Sequence, residues 1–139
     1  MGARKRNSAN TIKEENRKVA YASLNSVPTS PRKMRLVTDL IRGVEVNKAL
    51  DILKFTEKEG AKRLEKLLLS AISNWQVKNE GTRIEDSKIY VKEIHVDQGR
   101  TLKRMHTAPQ GRAYRVSKRS NHVTIILDSP NNNEVETIK

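Results

Sequence analysis

A run of cations without a single carboxylate is the feature of this sequence that is suited to binding chemistry. Between residues 98 and 127 the chain carries no Asp or Glu. Lys and Arg side chains bind phosphate oxygens through charge and through hydrogen bonds. The segment therefore predicts a polyanionic partner outside the chain. Its basic residues are Arg100, Lys103, Arg104, Arg112, Arg115, Lys118 and Arg119.

The composition of the whole chain agrees with that prediction. The chain has 139 residues and a net charge of +12, which indicates nucleic acid first and an anionic membrane surface second. Its length is that of a single domain. Its longest apolar runs are far shorter than the ~20 residues of a membrane-spanning helix, so we predict no membrane span. The absence of Cys excludes a disulfide framework and fits a reducing compartment.

Acid–base catalysis by histidine is the alternative chemistry. His95, His106 and His122, together with Lys103, are the candidate groups of a nuclease. However, no carboxylate lies in the basic segment to orient an imidazole. No two His residues fall at metal-ligand spacing, and no Gly-rich phosphate loop is present. We therefore predict that the protein is not an enzyme and has no catalytic residue, no metal site and no cofactor.

The elements before the basic segment are predicted to be one strand and three helices. Partial alternation over residues 17–27 indicates a strand, and Ser30 followed by Pro31 indicates the cap and first residue of a helix that ends at Gly43. The apolar stripe of this helix is Met34, Val37, Leu40, Ile41 and Val44.

A short second helix and a long third helix follow. The second has its stripe at Val46, Ala49, Leu50 and Leu53. The third is predicted over residues 57–79 as the main support of the core, and we interpret Trp75 as a core residue rather than as a base-stacking platform. The third stripe is Ala61, Leu64, Leu68, Ala71, Ile72 and Trp75.

Two strands bracket the basic segment. After a stop signal at residues 79–81 the period changes to two, and a slip in parity predicts a β-bulge near Lys92 and Glu93. We expect the two strands to pair antiparallel. The alternating apolar residues are Ile89, Val91, Ile94 and Val96 in the first strand, and Val123, Ile125 and Leu127 in the second.

Residues 97–122 are predicted to extend this pair into a long two-stranded ribbon. Structureless loops longer than about 15 residues are uncommon in compact domains. The only strong turn signal is Ala108-Pro109-Gln110-Gly111, near the middle. Each arm would then project about 35 Å at ~3.3 Å per residue. The ribbon has little apolar surface to bury, so we expect phosphates to hold it. The alternative is a disordered basic loop without a specific partner, which Pro109 and Gly111 disfavour.

Several separate motifs in the right order resemble the family of bacterial large-subunit ribosomal protein number twenty-two, over roughly residues 18–127. The motifs are Ser30-Pro31-Arg32-Lys33-Met34-Arg35-Leu36-Val37, Asp39-Leu40-Ile41-Arg42-Gly43, Ala49-Leu50-Asp51-Ile52-Leu53, Ser70-Ala71-Ile72, Gly111-Arg112-Ala113, Lys118-Arg119-Ser120 and His122-Val123-Thr124.

The resemblance implies an α+β fold, in which a small three-stranded antiparallel sheet packs on three helices and a long basic β-hairpin protrudes. It also implies a structural constituent of the large ribosomal subunit, cytoplasmic and ribosome-bound. The expected partners are large-subunit ribosomal RNA, neighbouring ribosomal proteins and the nascent peptide, with the chain a monomer within the ribosome.

The resemblance assigns two sets of site residues. The residues expected to bind ribosomal RNA are Arg32, Lys33, Arg35, Arg42, Arg100, Lys103, Arg104, Arg112, Arg115, Lys118, Arg119 and His122. The hairpin tip is expected to line the nascent-peptide exit tunnel near the macrolide site, and residues 106–110 of this tip are less basic than in many members of the family. The tip residues are Leu102, Met105, His106, Thr107, Ala108, Pro109 and Gln110.

These inferences divide the chain into three parts. Residues 1–16 form a basic arm that we expect to be disordered when free, residues 17–128 form a single globular α/β domain including the extended hairpin 97–122, and residues 129–139 form a polar tail. The rival function is a DNA-bending protein that wedges the minor groove with a Pro-tipped β-ribbon. Such proteins dimerise through a helical base, whereas the element order here predicts a closed monomeric core.

Overall fold

The structure, a computed structural model, describes residues 3–79 and 87–130. Part of the stop signal at residues 79–81 and most of the polar tail therefore lie outside the described residues. In chain order the elements are helix α1 (Ala3–Lys18), strand β1 (Ala20–Val27), helices α2 (Pro31–Thr38), α3 (Val46–Phe55) and α4 (Glu59–Lys78), strand β2 (Tyr90–Thr107), a 3₁₀ turn (Pro109–Gly111) and strand β3 (Ala113–Asp128).

The predicted α+β fold is confirmed. The three strands form one antiparallel sheet in the order β1-β3-β2. Alternate residues of each strand are buried on one face, and α2, α3 and α4 bury their apolar stripes against that face. The core therefore lies between one face of the sheet and the three helices.

Helix α4 carries the largest share of this core, as its periodicity predicts. All six residues of its predicted stripe are buried, and Leu67 is buried beside them. Trp75 is 2% exposed, which confirms its assignment to the core. The indole Nε1 of Trp75 has no hydrogen-bond partner among the described residues.

Helix α2 is shorter than predicted. Pro31 is its first residue, as expected, but the side chain of Ser30 makes no capping hydrogen bond. The helix ends at Thr38 rather than at Gly43, because the main chain from Gly43 onward pairs with β2: the Gly43 N–H donates to the Val91 carbonyl at 2.9 Å. Leu40 is consequently 47% exposed and its assignment to the apolar stripe was wrong, whereas Ile41 is fully buried.

The predicted bulge in β2 is confirmed at Lys92. The pairing of β2 with β3 shifts register between Val91 and Glu93, which turns Lys92 toward Asp128. The Lys92 ammonium donates to the Asp128 carboxylate at 2.8 Å, and this hydrogen bond and charge raise the pKa of Lys92 above its usual value. The ion pair therefore supports the fold at neutral pH, and its contribution disappears as the pH rises through that raised pKa.

Helix α1 has no counterpart in the sequence prediction, which assigned residues 1–16 to an arm without regular structure. Every side chain described from Ala3 to Glu14 is exposed. The helix leads into Ala20, which pairs with Leu127, so it joins the sheet at the end opposite the ribbon. Among the described residues, no helix is both long and apolar enough to cross a membrane.

Candidate nucleic-acid interface

The ribbon of residues 97–122 is the predicted extension of the β2–β3 pair. Beyond Gln98 and Asn121 the strands stay paired as far as Thr107 and Ala113. Every residue of the span 102–119 is exposed except Ala108, which is half-buried. None of the core residues lies between residues 97 and 122 apart from Asn121 at its base, so the ribbon is a surface element built on the domain.

The turn of the ribbon lies where the sequence predicts it. Pro109 opens a single 3₁₀ turn, and the Ala108 N–H donates to the Arg112 carbonyl at 2.9 Å across its base. Gln110 and Gly111 both adopt the left-handed region, with φ of 63° and 70°. The reversal needs two such residues in succession, which Gly favours and Gln tolerates at a cost.

The strand register divides the side chains of the ribbon between two faces, because successive residues of a strand point to opposite sides. We call one the cationic face; it consists of Thr101, Lys103, Met105, Thr107, Ala113, Arg115, Ser117 and Arg119. We call the other the aromatic face; it consists of Leu102, Arg104, His106, Tyr114, Val116 and Lys118. Both faces carry cations, and only the aromatic face carries an aromatic pair.

The cations of the ribbon have no acidic partner within the described part of the chain. The ion pairs among those residues involve Arg42, Lys48, Arg63, Lys92 and His95, and none of these lies in the ribbon. An exposed cation without a counter-charge binds phosphate without first breaking an internal pair. The seven cations between residues 100 and 119 are therefore available to an external polyanion.

A second bulge forms the root of the ribbon. The register passes from the pair Gln98–Asn121 to the pair Thr101–Arg119, so Gly99 and Arg100 together oppose Ser120. The Ser120 hydroxyl donates to the Arg100 carbonyl at 2.6 Å and holds the bulge closed. The buried Asn121 amide donates to the carbonyl of Thr29 at 2.8 Å, which ties the root to the start of α2.

His122 has a role at this root that the sequence analysis did not predict. Its Nδ1 accepts a hydrogen bond from the backbone N–H of Ser26 at 3.1 Å. Ser26 has a φ of 56°, and this bond stabilises the left-handed backbone at the end of β1. His122 therefore links the root to β1, and its role in phosphate binding stays a prediction.

Substituting Gly99 is expected to strain this joint. A Cβ at this position would lie 2.6 Å from the Ser120 hydroxyl, 3.0 Å from His122 Nε2 and 3.2 Å from the backbone of Ser120. We expect Gly99→Ala to lower the free energy of unfolding by about 1–3 kcal/mol, as overpacking does elsewhere. Chemical denaturation measures the change. The double variant Gly99→Ala/Ser120→Ala removes the shortest contact and should recover part of the loss; equal stability of Gly99→Ala and the unaltered chain would contradict the geometry.

The basic residues of α2 and of the turn that follows it divide into two groups. Arg32 and Lys33 are exposed at its first turn. Arg35 and Arg42 instead reach the outer edge of β2, where they donate to the carbonyls of Val96 at 2.9 Å and Ile94 at 3.3 Å. Arg42 also pairs with Asp39 at 2.8 Å.

Arg35 and Arg42 thus cover unpaired carbonyls of an edge strand, a role that the sequence analysis missed. The contacts join residues 61 and 52 positions apart, so no local pattern reveals them. Exposed strand edges invite pairing with other chains, and covering them with charged side chains prevents it. Polar side chains of α4 also cover the opposite edge of the sheet: Asn74 donates to the carbonyl of Tyr21 on β1, and Lys78 donates to the carbonyl of Val19 just before β1.

Of the remaining predicted tip residues, Met105, His106, Thr107, Pro109 and Gln110 lie near the turn, whereas Leu102 pairs with Lys118 close to the root of the ribbon. Leu102, Met105, His106, Thr107, Pro109 and Gln110 are exposed. Within the described residues no group of three His, Asp or Glu side chains is placed to hold a metal ion. The arrangement suits binding through charge and surface contact.

Comparison with known proteins gives a consistent result over nearly the whole chain. The family described as "Ribosomal protein L22p/L17e" matches residues 22–128. A protein named "Large ribosomal subunit protein uL22" from Christiangramia forsetii is 60% identical over 134 residues, which are 96% of this chain and 99% of that protein. Proteins of the same name from Flavobacterium johnsoniae and Bacteroides fragilis are 58% and 60% identical, each over 96% of this chain and 98% of their own length.

Proposed function

The chain belongs to the Ribosomal protein L22p/L17e family, and on this premise we propose that it organises large-subunit ribosomal RNA by threading its ribbon between RNA segments. Membership makes the chain a structural, non-enzymatic constituent of the large ribosomal subunit, located on ribosomes in the cytoplasm. It also favours this function over the DNA-bending alternative. The single observation that carries the proposal is the ribbon with exposed cations on both faces and no internal acidic partner among the described residues.

Phosphate contacts position the ribbon in this proposal. Arg100, Lys103, Arg104, Arg112, Arg115, Lys118 and Arg119 would each bind RNA phosphates along the two arms, and Arg32 and Lys33 would bind RNA at the domain surface. Arg35 and Arg42 retain free N–H groups after covering the edge of β2, so they would contact RNA while holding the sheet. Contacts of this kind carry little sequence information, so recognition would rest on the fit to folded RNA.

The tip would line the nascent-peptide exit tunnel. Support comes from the family resemblance and from the exposure of the residues around the turn, at the end of two strands that stay paired from the root to Thr107 and Ala113. The neighbouring ribosomal proteins and the nascent peptide are the other proposed partners. None of these contacts involves a cofactor.

Sedimentation tests the proposed function directly. A tagged copy of the protein is expressed, and the lysate is separated on a sucrose gradient. We expect the protein to migrate with the large subunit and to remain there after a high-salt wash, because a threaded ribbon cannot leave without unfolding the surrounding RNA. Release by mild salt, or migration outside ribosomal fractions, would show that the ribbon is only a surface clamp.

Changes in the tip test the tunnel assignment. Short deletions or insertions within residues 102–105 are expected to alter macrolide susceptibility, because they shift the tip against the tunnel wall. The core should be unaffected, since these residues are exposed. The measurement is the macrolide concentration that inhibits growth of a strain in which the only gene copy for this protein carries the change. Thermal denaturation of the purified variant is the control. Unchanged macrolide susceptibility across several such variants would contradict the assignment of the tip to the tunnel wall.

A further inference from the structure

The aromatic face of the ribbon carries an exposed aromatic pair that electrostatic binding does not explain. Tyr114 is directly opposite His106 in the strand register and is 63% exposed. Leu102 and Val116 are exposed on the same face. Aromatic residues make up only 4% of this chain, and one of them, Tyr114, is exposed close to the turn of the ribbon. Exposed apolar side chains that cluster on one face are typical of an interaction site, whereas such side chains scattered singly need no explanation.

The cations of this face lie in line with the aromatic pair. Moving from the turn toward the root, the pair His106–Tyr114 is followed by Arg104–Val116 and then by Leu102–Lys118. Residues two apart on a strand lie about 7 Å from each other. Arg104 and Lys118 therefore lie one and two steps along the same surface from the Tyr114 ring, on opposite strands.

His106 is held in a defined state beside Tyr114. Its Nδ1 lies 2.8 Å from the carbonyl oxygen of Thr107, which can only accept a hydrogen bond, so Nδ1 carries the proton and donates. In the neutral ring Nε2 is then an acceptor. The pair thus presents a flat phenol ring, an imidazole and one outward acceptor.

We propose that Tyr114 and His106 form a stacking platform for an unpaired RNA base, with Arg104 binding the phosphate of the same nucleotide. This inference rests on the proposed function, because it assumes that the ribbon lies among RNA. Single-stranded RNA is recognised by stacking on aromatic rings combined with cations along the backbone, which is the combination found on this face. The cationic face lacks an aromatic residue and would bind phosphates alone.

A nascent peptide is a less suitable occupant of this platform. Peptides of every composition pass a tunnel wall, and the basic ones among them would be repelled by Arg104 and Lys118. A nucleotide always has both a base to stack and a phosphate to neutralise these cations. The aromatic face therefore matches RNA better than it matches a peptide.

Binding of the full-length protein to two synthetic strands tests the proposal. One is a short oligoadenylate, and the other is an abasic strand with the same number of phosphates. Tyr114→Ala is expected to weaken oligoadenylate binding by about 5- to 150-fold, the usual contribution of stacking on one aromatic ring. Binding of the abasic strand should change by less than about twofold, because it depends on phosphates alone.

Two variants serve as matched controls. Tyr114→Phe keeps the ring and should retain the affinity for oligoadenylate. Phe55→Ala removes an exposed aromatic side chain at the end of α3, outside the ribbon, and should leave both affinities unchanged. Equal affinity of the unaltered protein for the two strands, or equal losses on both strands in Tyr114→Ala, would overturn the proposal.

Short-wavelength ultraviolet cross-linking of intact large subunits provides the second readout. We expect mass spectrometry to find a nucleotide attached to the peptide that contains Tyr114. Attachment of that peptide to the nascent chain alone would overturn the proposal in favour of a peptide contact. Co-sedimentation with the large subunit is unaffected by either outcome, so failure of this inference is distinguishable from failure of the proposed function.

Discussion

Replacing Lys103, Arg112, Arg115 and Arg119 by Gln is expected to weaken binding to large-subunit ribosomal RNA by about a thousandfold at about 0.1 M salt. All four side chains are exposed and take no part in the ion pairs of the described chain. Removing one phosphate-binding cation lowers the slope of log affinity against log salt by ~0.7–0.9, so removing four lowers it by about three. At about 1 M salt the variant and the unaltered protein should bind RNA with equal affinity, and at about 0.1 M salt their affinities should differ by about three orders of magnitude.

Filter binding with a ribosomal RNA transcript over a range of salt concentrations measures both the slope and the affinity. The matched control replaces Lys54, Lys58, Lys62 and Lys66 by Gln, which changes the net charge equally on the exposed surface of α3, α4 and the segment between them. The control should lose much less affinity, and both variants should keep the same circular dichroism spectrum. Equal losses in the two variants would mean that net charge, rather than the ribbon, drives binding.

Sequence alone could predict those elements of the fold whose secondary structure is determined by residues close together along the chain. The alternation of Val123, Ile125 and Leu127 and the spacing of the α4 stripe each require a single element with one buried face. The bulge at Lys92 was predictable because a slip in parity has few other causes. Pro109 and Gly111 located the turn for the same local reason.

The features that were missed depend on contacts between distant parts of the chain. Helix α2 stops early because Gly43 pairs with Val91, a partner that no local pattern of residues 31–43 specifies. Arg35 belonged to the predicted phosphate-binding group because its position in the family motif suggested it, and its bond to the Val96 carbonyl is visible only once β2 is placed. Which side chains share a face of the ribbon also could not be predicted, because that depends on the strand register, and two bulges shift the register.

Helix α1 was missed for a different reason, because a helix is held by hydrogen bonds between near neighbours in sequence and does not depend on distant contacts. Its sequence has a single large apolar residue, Ile12, and that side chain is exposed. A helix without an apolar face receives little support from packing, and isolated helices of this length are marginal in water. Composition therefore indicated an arm without structure.

Cutting the ribbon back to its root is expected to abolish stable association with the large subunit while leaving the domain folded. The variant replaces residues 99–120 by Asn-Gly, which joins the paired residues Gln98 and Asn121 through a two-residue hairpin turn. The core is untouched, because none of its buried apolar residues lies in the deleted segment. The shorter connection also costs less chain entropy to close.

We expect the free energy of unfolding of this variant to lie within about 1 kcal/mol of that of the full chain, as is usual for changes on the surface. The fluorescence of Trp75, the only Trp and a buried one, reports unfolding in denaturant. Leu68→Ala provides the contrast: Leu68 is fully buried on α4, and its truncation should cost about 2–5 kcal/mol without removing any RNA contact.

Together the two variants separate stability from function. The shortened chain should fold normally yet wash off the large subunit at moderate salt, whereas Leu68→Ala should be unstable when free yet remain bound once assembled. This second result follows because RNA that binds only the folded state adds its binding free energy to the stability of the domain. A shortened chain that fails to fold would mean that the ribbon completes the core, and one that survives the high-salt wash would mean that the domain surface, rather than the ribbon, anchors the protein.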